Sequence, residues 1–199
     1  MLLNHEDSQL VLIDYQTRLM PALQGTQEVL ANATRLARWA RAFGVPIWGT
    51  EHAPDKLGGT VSELAALIDK TVAKTDFSAA AQLSPLLLPA VRAPQGNARS
   101  LPKHLQKPPA PVAQRSSIVL AGCEAHVCLL QTSLELLEQE FDVWVVTDAC
   151  TSRTERNRDA AFDRLVSNGA ELVSTEMVGF EWLRSSDHVH HSLVQTLIN

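Results

Sequence analysis

Residues 122–132 read GCEAHVCLLQT and carry two of the chain's three cysteines. They follow an apolar run, SSIVLA, and lead into apolar residues at helical spacing. Sulfur here could hold a metal, attack a carbonyl, or fill core. Cys123, His126 and Cys128 form C-x-x-H-x-C, which lacks a second ligand pair. Positions two apart on a helix also do not face one another. Glu51, His52 and Asp55 make a second polar cluster, but three polar loop residues are more often solvated surface than ligands. HVHHS (188–192) lies near the C-terminus and reads as exposed surface or an oligomer contact. No metal and no cofactor is expected.

Nucleophilic chemistry fits the spacing better. Cys128 would fall in the first turn of a helix, just after a strand. Unpaired backbone N–H groups and the helix dipole favour a thiolate there. The same N–H groups can hold an oxyanion. Asp14, at the end of another strand, could take the thiol proton. Lys74 would stabilise the thiolate and restrain the carboxylate. Each residue also has an ordinary reading: an Asp after a strand forms a turn, a Lys is solvated, and a Cys at the root of a helix is small core. Spacing alone leaves both readings open.

The elements that must position these residues alternate along the chain. Strands are expected at 9–14, 45–50, 70–75, 117–122, 142–147 and 170–175. Val29, Ala33, Leu36, Ala37, Ala40 and Phe43 repeat at helical spacing, and Gly44 stands where a helix C-terminal glycine belongs. Further helices are expected at 62–68, at 78–91 (broken by Pro85 and Pro89), from Val127 through Leu137, at 155–168, and as two short C-terminal segments. Prolines 94, 102, 108, 109 and 111 punctuate a polar stretch, read as a surface excursion over 92–116 that is mobile at least in part. Apolar strands alternating with helices predict an α/β fold, a three-layer α/β/α sandwich with a mostly parallel, Rossmann-like sheet. The whole chain, 1–199, reads as one domain. Ligands of such sheets bind beyond the strand C-terminal ends. The polar residues there are Asp14, Thr50, Glu51, His52, Lys74, Asp76, Cys123, Glu124, Cys128 and Asp148.

Composition narrows the function. The net charge is −5 and the pI about 5.8, which argues against nucleic acid or an anionic membrane as partner. No apolar run approaches the ~20 residues of a membrane span. Three cysteines without framework spacing indicate free thiols in a cytoplasmic setting. Glycine-rich nucleotide fingerprints, phosphate loops and the G-x-S-x-G elbow are all missing.

Five segments together resemble the isochorismatase-like cysteine hydrolases, the group that includes nicotinamidases and N-carbamoylsarcosine amidases. They are LVLIDYQTRLMP (10–21), TEHAPDKLGGTVSEL (50–64), KTDFSA (74–79), AGCEAHVCLLQTSLEL (121–136) and VVTDACTSR (145–153). The resemblance implies a Cys–Lys–Asp triad of Cys128, Lys74 and Asp14, with an acyl-thioester intermediate. It implies an oxyanion hole from the N–H groups of Glu124 and Cys128, and a cis peptide between Cys123 and Glu124. It also implies pocket walls from Tyr15, Leu19, Trp48, His52, Phe77 and the 148–153 loop. The Asp/His metal set of nicotinamidases has no counterpart in TEHAPDKLGG. Amide, imide or ester hydrolysis of a small molecule, by a homo-oligomer, is therefore the expected function. The competing expectation is a non-catalytic homo-oligomer of the same fold with a redox-sensitive thiol.

Overall fold

The computed structural model describes residues 1–88 and 115–198. The excursion expected at 92–116 lies outside them, apart from its last two residues.

Six strands form one sheet: β1 (Ser8–Ile13), β2 (Ile47–His52), β3 (Lys70–Lys74), β4 (Ser117–Gly122), β5 (Asp142–Val146) and β6 (Glu171–Val173). Their order is β3-β2-β1-β4-β5-β6, and every pairing is parallel. Among the described residues the sheet is parallel throughout, as the mostly parallel expectation requires. β1 and β4 are buried along their full length, which is why both read as unbroken apolar runs with no polar alternation. Gly122 ends β4 where a Cβ would land on the Ile13 carbonyl oxygen, so only glycine lets the two central strands close at this level.

Helices cover both faces. α1 (Thr26–Phe43) packs on α3 (Ser62–Ala65), α7 (Thr175–Leu183) and α8 (His191–Ile198). On the other face α5 (Leu130–Glu138) packs on α4 (Ala80–Leu87) and α6 (Glu155–Ser167). A one-turn helix, α2 (Pro54–Leu57), follows β2. The apolar repeat of α1 is the buried face, and Gly44 closes it in the left-handed conformation with φ 67°. Gly179 lets α7 approach closely: a Cβ there would sit 2.7 Å from Trp39.

Four expectations need correction. β2 begins two residues later than expected, and the helix from Ser62 ends at Ala65 instead of 68. Pro85 does not break its helix; it lies inside α4, and Leu88 N–H still closes the last turn on the Ser84 carbonyl at 3.0 Å. A proline forfeits one helical hydrogen bond, and burial of Ala80, Leu83 and Leu87 holds the short helix regardless. Finally, HVHHS is not simply surface. The His188 and His190 rings pack on Phe43 at centroid distances of 5.2 and 5.1 Å, with His5 beside them. Burial among these rings lowers the His5 pKa, with His188 adding to the effect and Glu6 opposing it. Among the described residues no helix is long and apolar enough to cross a membrane.

Candidate active site

The sheet order reverses between β1 and β4, and the crevice of an open parallel sheet opens at such a point. Asp14 ends β1 on one side of it. Its backbone is left-handed (φ 52°), an uncommon conformation that Asp tolerates better than most residues. Gln16 N–H holds it by donating to the Asp14 carbonyl at 2.8 Å.

Both oxygens of the fully buried Asp14 carboxylate are occupied. Thr50 Oγ1 donates to Oδ1 at 2.6 Å, and Lys74 Nζ donates to Oδ2 at 2.7 Å. The Lys74 and Asp14 side chains are each 0% exposed. Lys74 also donates to the carbonyls of Phe77 (3.0 Å) and Asp76 (3.3 Å). Three acceptors therefore fix an ammonium in the interior, where a poorly partnered charge would cost several kcal/mol, order of magnitude.

Gln16 is a residue that sequence reasoning missed. Its buried amide accepts from His52 N–H at 2.8 Å and donates to the carbonyls of His52 (3.0 Å) and Gly58 (2.6 Å). It ties the end of β2 to the segment that leaves Asp14, and His52 is the strand partner of Lys74. A polar residue two places beyond a strand-terminal Asp was the available signal.

Cys128 reaches the crevice from β4. It sits in a wide π-type turn, Ala125–Leu129, rather than in the first turn of a regular α-helix; α5 starts only at Leu130. The Cys123–Glu124 peptide just before the turn is cis. The Glu124 N–H finds no acceptor among the described residues. Cys128 is buried and interacts with both Asp14 and Lys74.

The surroundings of Cys128 oppose the expected resting thiolate. Burial and the Asp14 carboxylate push the Cys128 thiol up to about 12, outweighing the opposing pull of Lys74. Desolvation penalises the charged form, and a neighbouring carboxylate does the same. The thiol is therefore protonated at neutral pH, with a carboxylate placed to receive its proton. Iodoacetamide alkylation should accelerate with pH well past the free-thiol value of ~8.5 without levelling off. Asp14→Asn should lower the thiol's pKa and speed alkylation at fixed pH. Lys74→Ala should raise it and slow alkylation. A wild-type inflection at or below ~8.5 would contradict this electrostatic picture.

The remaining residues divide. His52 and Phe77 stack at 5.4 Å between centroids, and Phe77 is 51% exposed beside the Lys74 anchor. Tyr15 is buried, and its hydroxyl donates to the Ala149 carbonyl, so it braces the 148–153 loop rather than offering a pocket wall. Trp48 lies lower on β2, opposite Val11, and its indole N–H donates to Gln9 at 3.0 Å. That places it toward the other end of the strands, away from Asp14. Leu19 packs half-buried against the core. Asp148 accepts from the Thr175 N–H (2.8 Å) and hydroxyl (2.9 Å), joining β5 to α7. Glu51 is taken up by the Thr60 N–H (2.7 Å) and hydroxyl (2.8 Å). No group of three His, Cys, Asp or Glu able to hold a metal occurs among the described residues.

An all-parallel α/β/α sandwich with Asp, Lys and Cys converging at its switch point defines a recognisable class, and comparison with known proteins specifies it. Residues 8–177 match the Isochorismatase domain, and the chain belongs to that family. Isochorismatase domain-containing protein 2 of Rattus norvegicus is 32% identical over 97% of this chain and 81% of its own length. The Xenopus laevis protein of the same name is 33% identical, over 98% and 85%. Among solved structures, one described as MAR1 ribonuclease from Caenorhabditis elegans is 29% identical with a TM-score of 0.83, covering 100% of this chain and 92% of that one. Escherichia coli YcaC, described as an octameric hydrolase of unknown specificity, shares the fold at 23% identity and a TM-score of 0.80, covering 100% and 89%.

Proposed function

We propose that the chain is a cysteine hydrolase that cleaves a C–N or ester bond of a small molecule through Cys128, Asp14 and Lys74. The observation that carries this is the fully buried Lys74–Asp14 pair, 2.7 Å apart, beside the Cys128 thiol. Burying two charges costs more than an apolar substitute would, so a role in chemistry accounts for their presence.

In the proposed cycle Asp14 removes the thiol proton as Cys128 sulfur bonds to the substrate carbonyl carbon. The carbonyl π electrons move to oxygen, and the N–H groups of Glu124 and Cys128 hold the resulting oxyanion. The tetrahedral adduct collapses, the leaving amine or alcohol departs with the proton from Asp14, and a thioester remains. Water attacks the thioester, giving up a proton to Asp14, and the acid leaves as the thiol re-forms with that proton. Lys74 keeps the carboxylate oriented throughout, and its charge eases thiolate formation.

The redox alternative lacks support from the other sulfurs. Cys123 and Cys150 are free and buried, and burial raises both thiols, Cys150 to about 12. Neither is placed as an accessible resolving thiolate. The ribonuclease description belongs to the nematode neighbour; a net charge of −5 gives a polyanion no general attraction, and a small molecule is retained as substrate. Free thiols fit a cytoplasmic setting. An exposed groove of about 460 Å³ includes Leu2, Met177 and Phe180. Together with the octameric description of YcaC, it supports a homo-oligomer. Sedimentation as a monomer would remove that part of the reading.

A panel of small amides, ureas and esters tests the function. The expected result is release of amine or alcohol by the wild-type chain but not by Cys128→Ala. Equal release by both would overturn the proposal.

A further inference from the structure

The turn that carries Cys128 is stapled to the segment after β5. Ala125 N–H donates to the Thr151 carbonyl at 2.9 Å. His126 Nδ1 lies 3.0 Å from Ser152 Oγ, and its Nε2 lies 3.4 Å from Asn157 Nδ2. The last staple is charged. Glu124 binds Arg153 through parallel bonds, Nε to Oε2 at 2.8 Å and Nη2 to Oε1 at 3.0 Å. Arg153 N–H adds a third contact to Oε2 at 3.3 Å.

The placement of that pair has a consequence for catalysis. Glu124 supplies one of the N–H groups proposed to hold the oxyanion, and its own side chain is only 10% exposed. A poorly solvated negative charge on that residue opposes negative charge developing at its N–H. The Arg153 side chain is 62% exposed, yet its guanidinium is locked in a fork on this carboxylate. Bidentate pairs of this kind fix geometry as well as charge.

We propose that Arg153 is a positioning residue for the oxyanion site, its guanidinium orienting Glu124 and cancelling the charge of its carboxylate. This deepens the cysteine-hydrolase reading and rests on it. Arg153 does not touch the reacting carbonyl; it acts through Glu124. The nucleophile is governed separately, since burial, Asp14 and Lys74 set the Cys128 thiol. Lysine would supply charge without the fork.

The test is steady-state hydrolysis of p-nitrophenyl acetate, with iodoacetamide alkylation measured alongside. The variants are Cys128→Ala, Arg153→Ala, Arg153→Lys and the double variant Glu124→Gln/Arg153→Ala. Arg153→Ala should lower kcat by roughly 10- to 100-fold with little change in KM, and leave the pH profile of alkylation unmoved. Arg153→Lys should fall between it and wild type. Adding Glu124→Gln should recover most of the loss, because the uncompensated charge is gone. Added guanidinium at millimolar concentration should restore part of the Arg153→Ala activity, since the vacated position opens to solvent. Wild-type kcat in Arg153→Ala would overturn the inference, as would a double variant as slow as the single. An ester that wild type leaves intact, or that Cys128→Ala cleaves equally well, would instead sink the parent reading and this one with it.

Discussion

Cys128→Ala, Lys74→Ala and Asp14→Asn should each lower turnover of a hydrolysed amide or ester by about 10⁴-fold or more, and any pair should be little worse than one alone. The reason is that the three groups act as a unit. A protonated thiol is a poor nucleophile, and Cys128 is held protonated by burial and by Asp14. Without Asp14 the proton has no acceptor at the moment of attack, even though Asp14→Asn makes the thiol itself more acidic. That opposition is diagnostic: alkylation rises while turnover collapses. Without Lys74 the carboxylate loses the partner 2.7 Å away that orients it. The kinetic measurement is kcat/KM for all singles and doubles. Losses that simply add would show independent roles. Loss confined to Cys128→Ala would point to a thiol working without its neighbours.

Lys74→Met should destabilise the fold by about 3–5 kcal/mol, the usual cost of removing one member of a buried ion pair. The methionine fills similar volume, so cavity formation contributes little. What remains is a carboxylate in the interior without its counter-charge, plus Phe77 and Asp76 carbonyls without their donor. Adding Asp14→Asn to Lys74→Met removes the orphaned charge and should recover much of the loss. Urea unfolding of the four proteins measures the cycle. A Lys74→Met change of less than about 1 kcal/mol would show that the ammonium is solvated.

The sheet was legible because β1 and β4 are buried on both faces and carry no polar alternation to confuse them with surface strands. Asp14, Lys74 and Cys128 could be picked out because strand ends of a parallel sheet open onto one crevice. Their convergence at a single point depends on strand order, which hydrophobic pattern does not encode. Trp48 and Tyr15 were misplaced for a related reason. Both lie in site-bearing segments, but side-chain direction and depth along the strand decide what lines a crevice. Gln16 offered only its position two places beyond Asp14 as a signal, because its function is to supply partners to the backbone of His52 and Gly58, a job that any buried amide could do. The thiol was read from its helix position without its burial, and desolvation together with the Asp14 charge outweighs the pull of Lys74. Arg153 entered the sequence reading only as the last residue of the 148–153 loop, because its pairing with Glu124 depends on how that loop folds back on the Cys128 turn.

The most direct test of the central claim is intact-protein and peptide mass spectrometry of the chain quenched in acid during turnover of p-nitrophenyl acetate. An acetyl adduct on Cys128 that forms at the rate of p-nitrophenol release and decays at the rate of turnover is the predicted result. It should accumulate neither in Cys128→Ala nor, at appreciable rate, in Asp14→Asn. Turnover with no adduct at any quench time, or with an acetyl group lodged on a different residue and turnover intact in Cys128→Ala, would contradict the account.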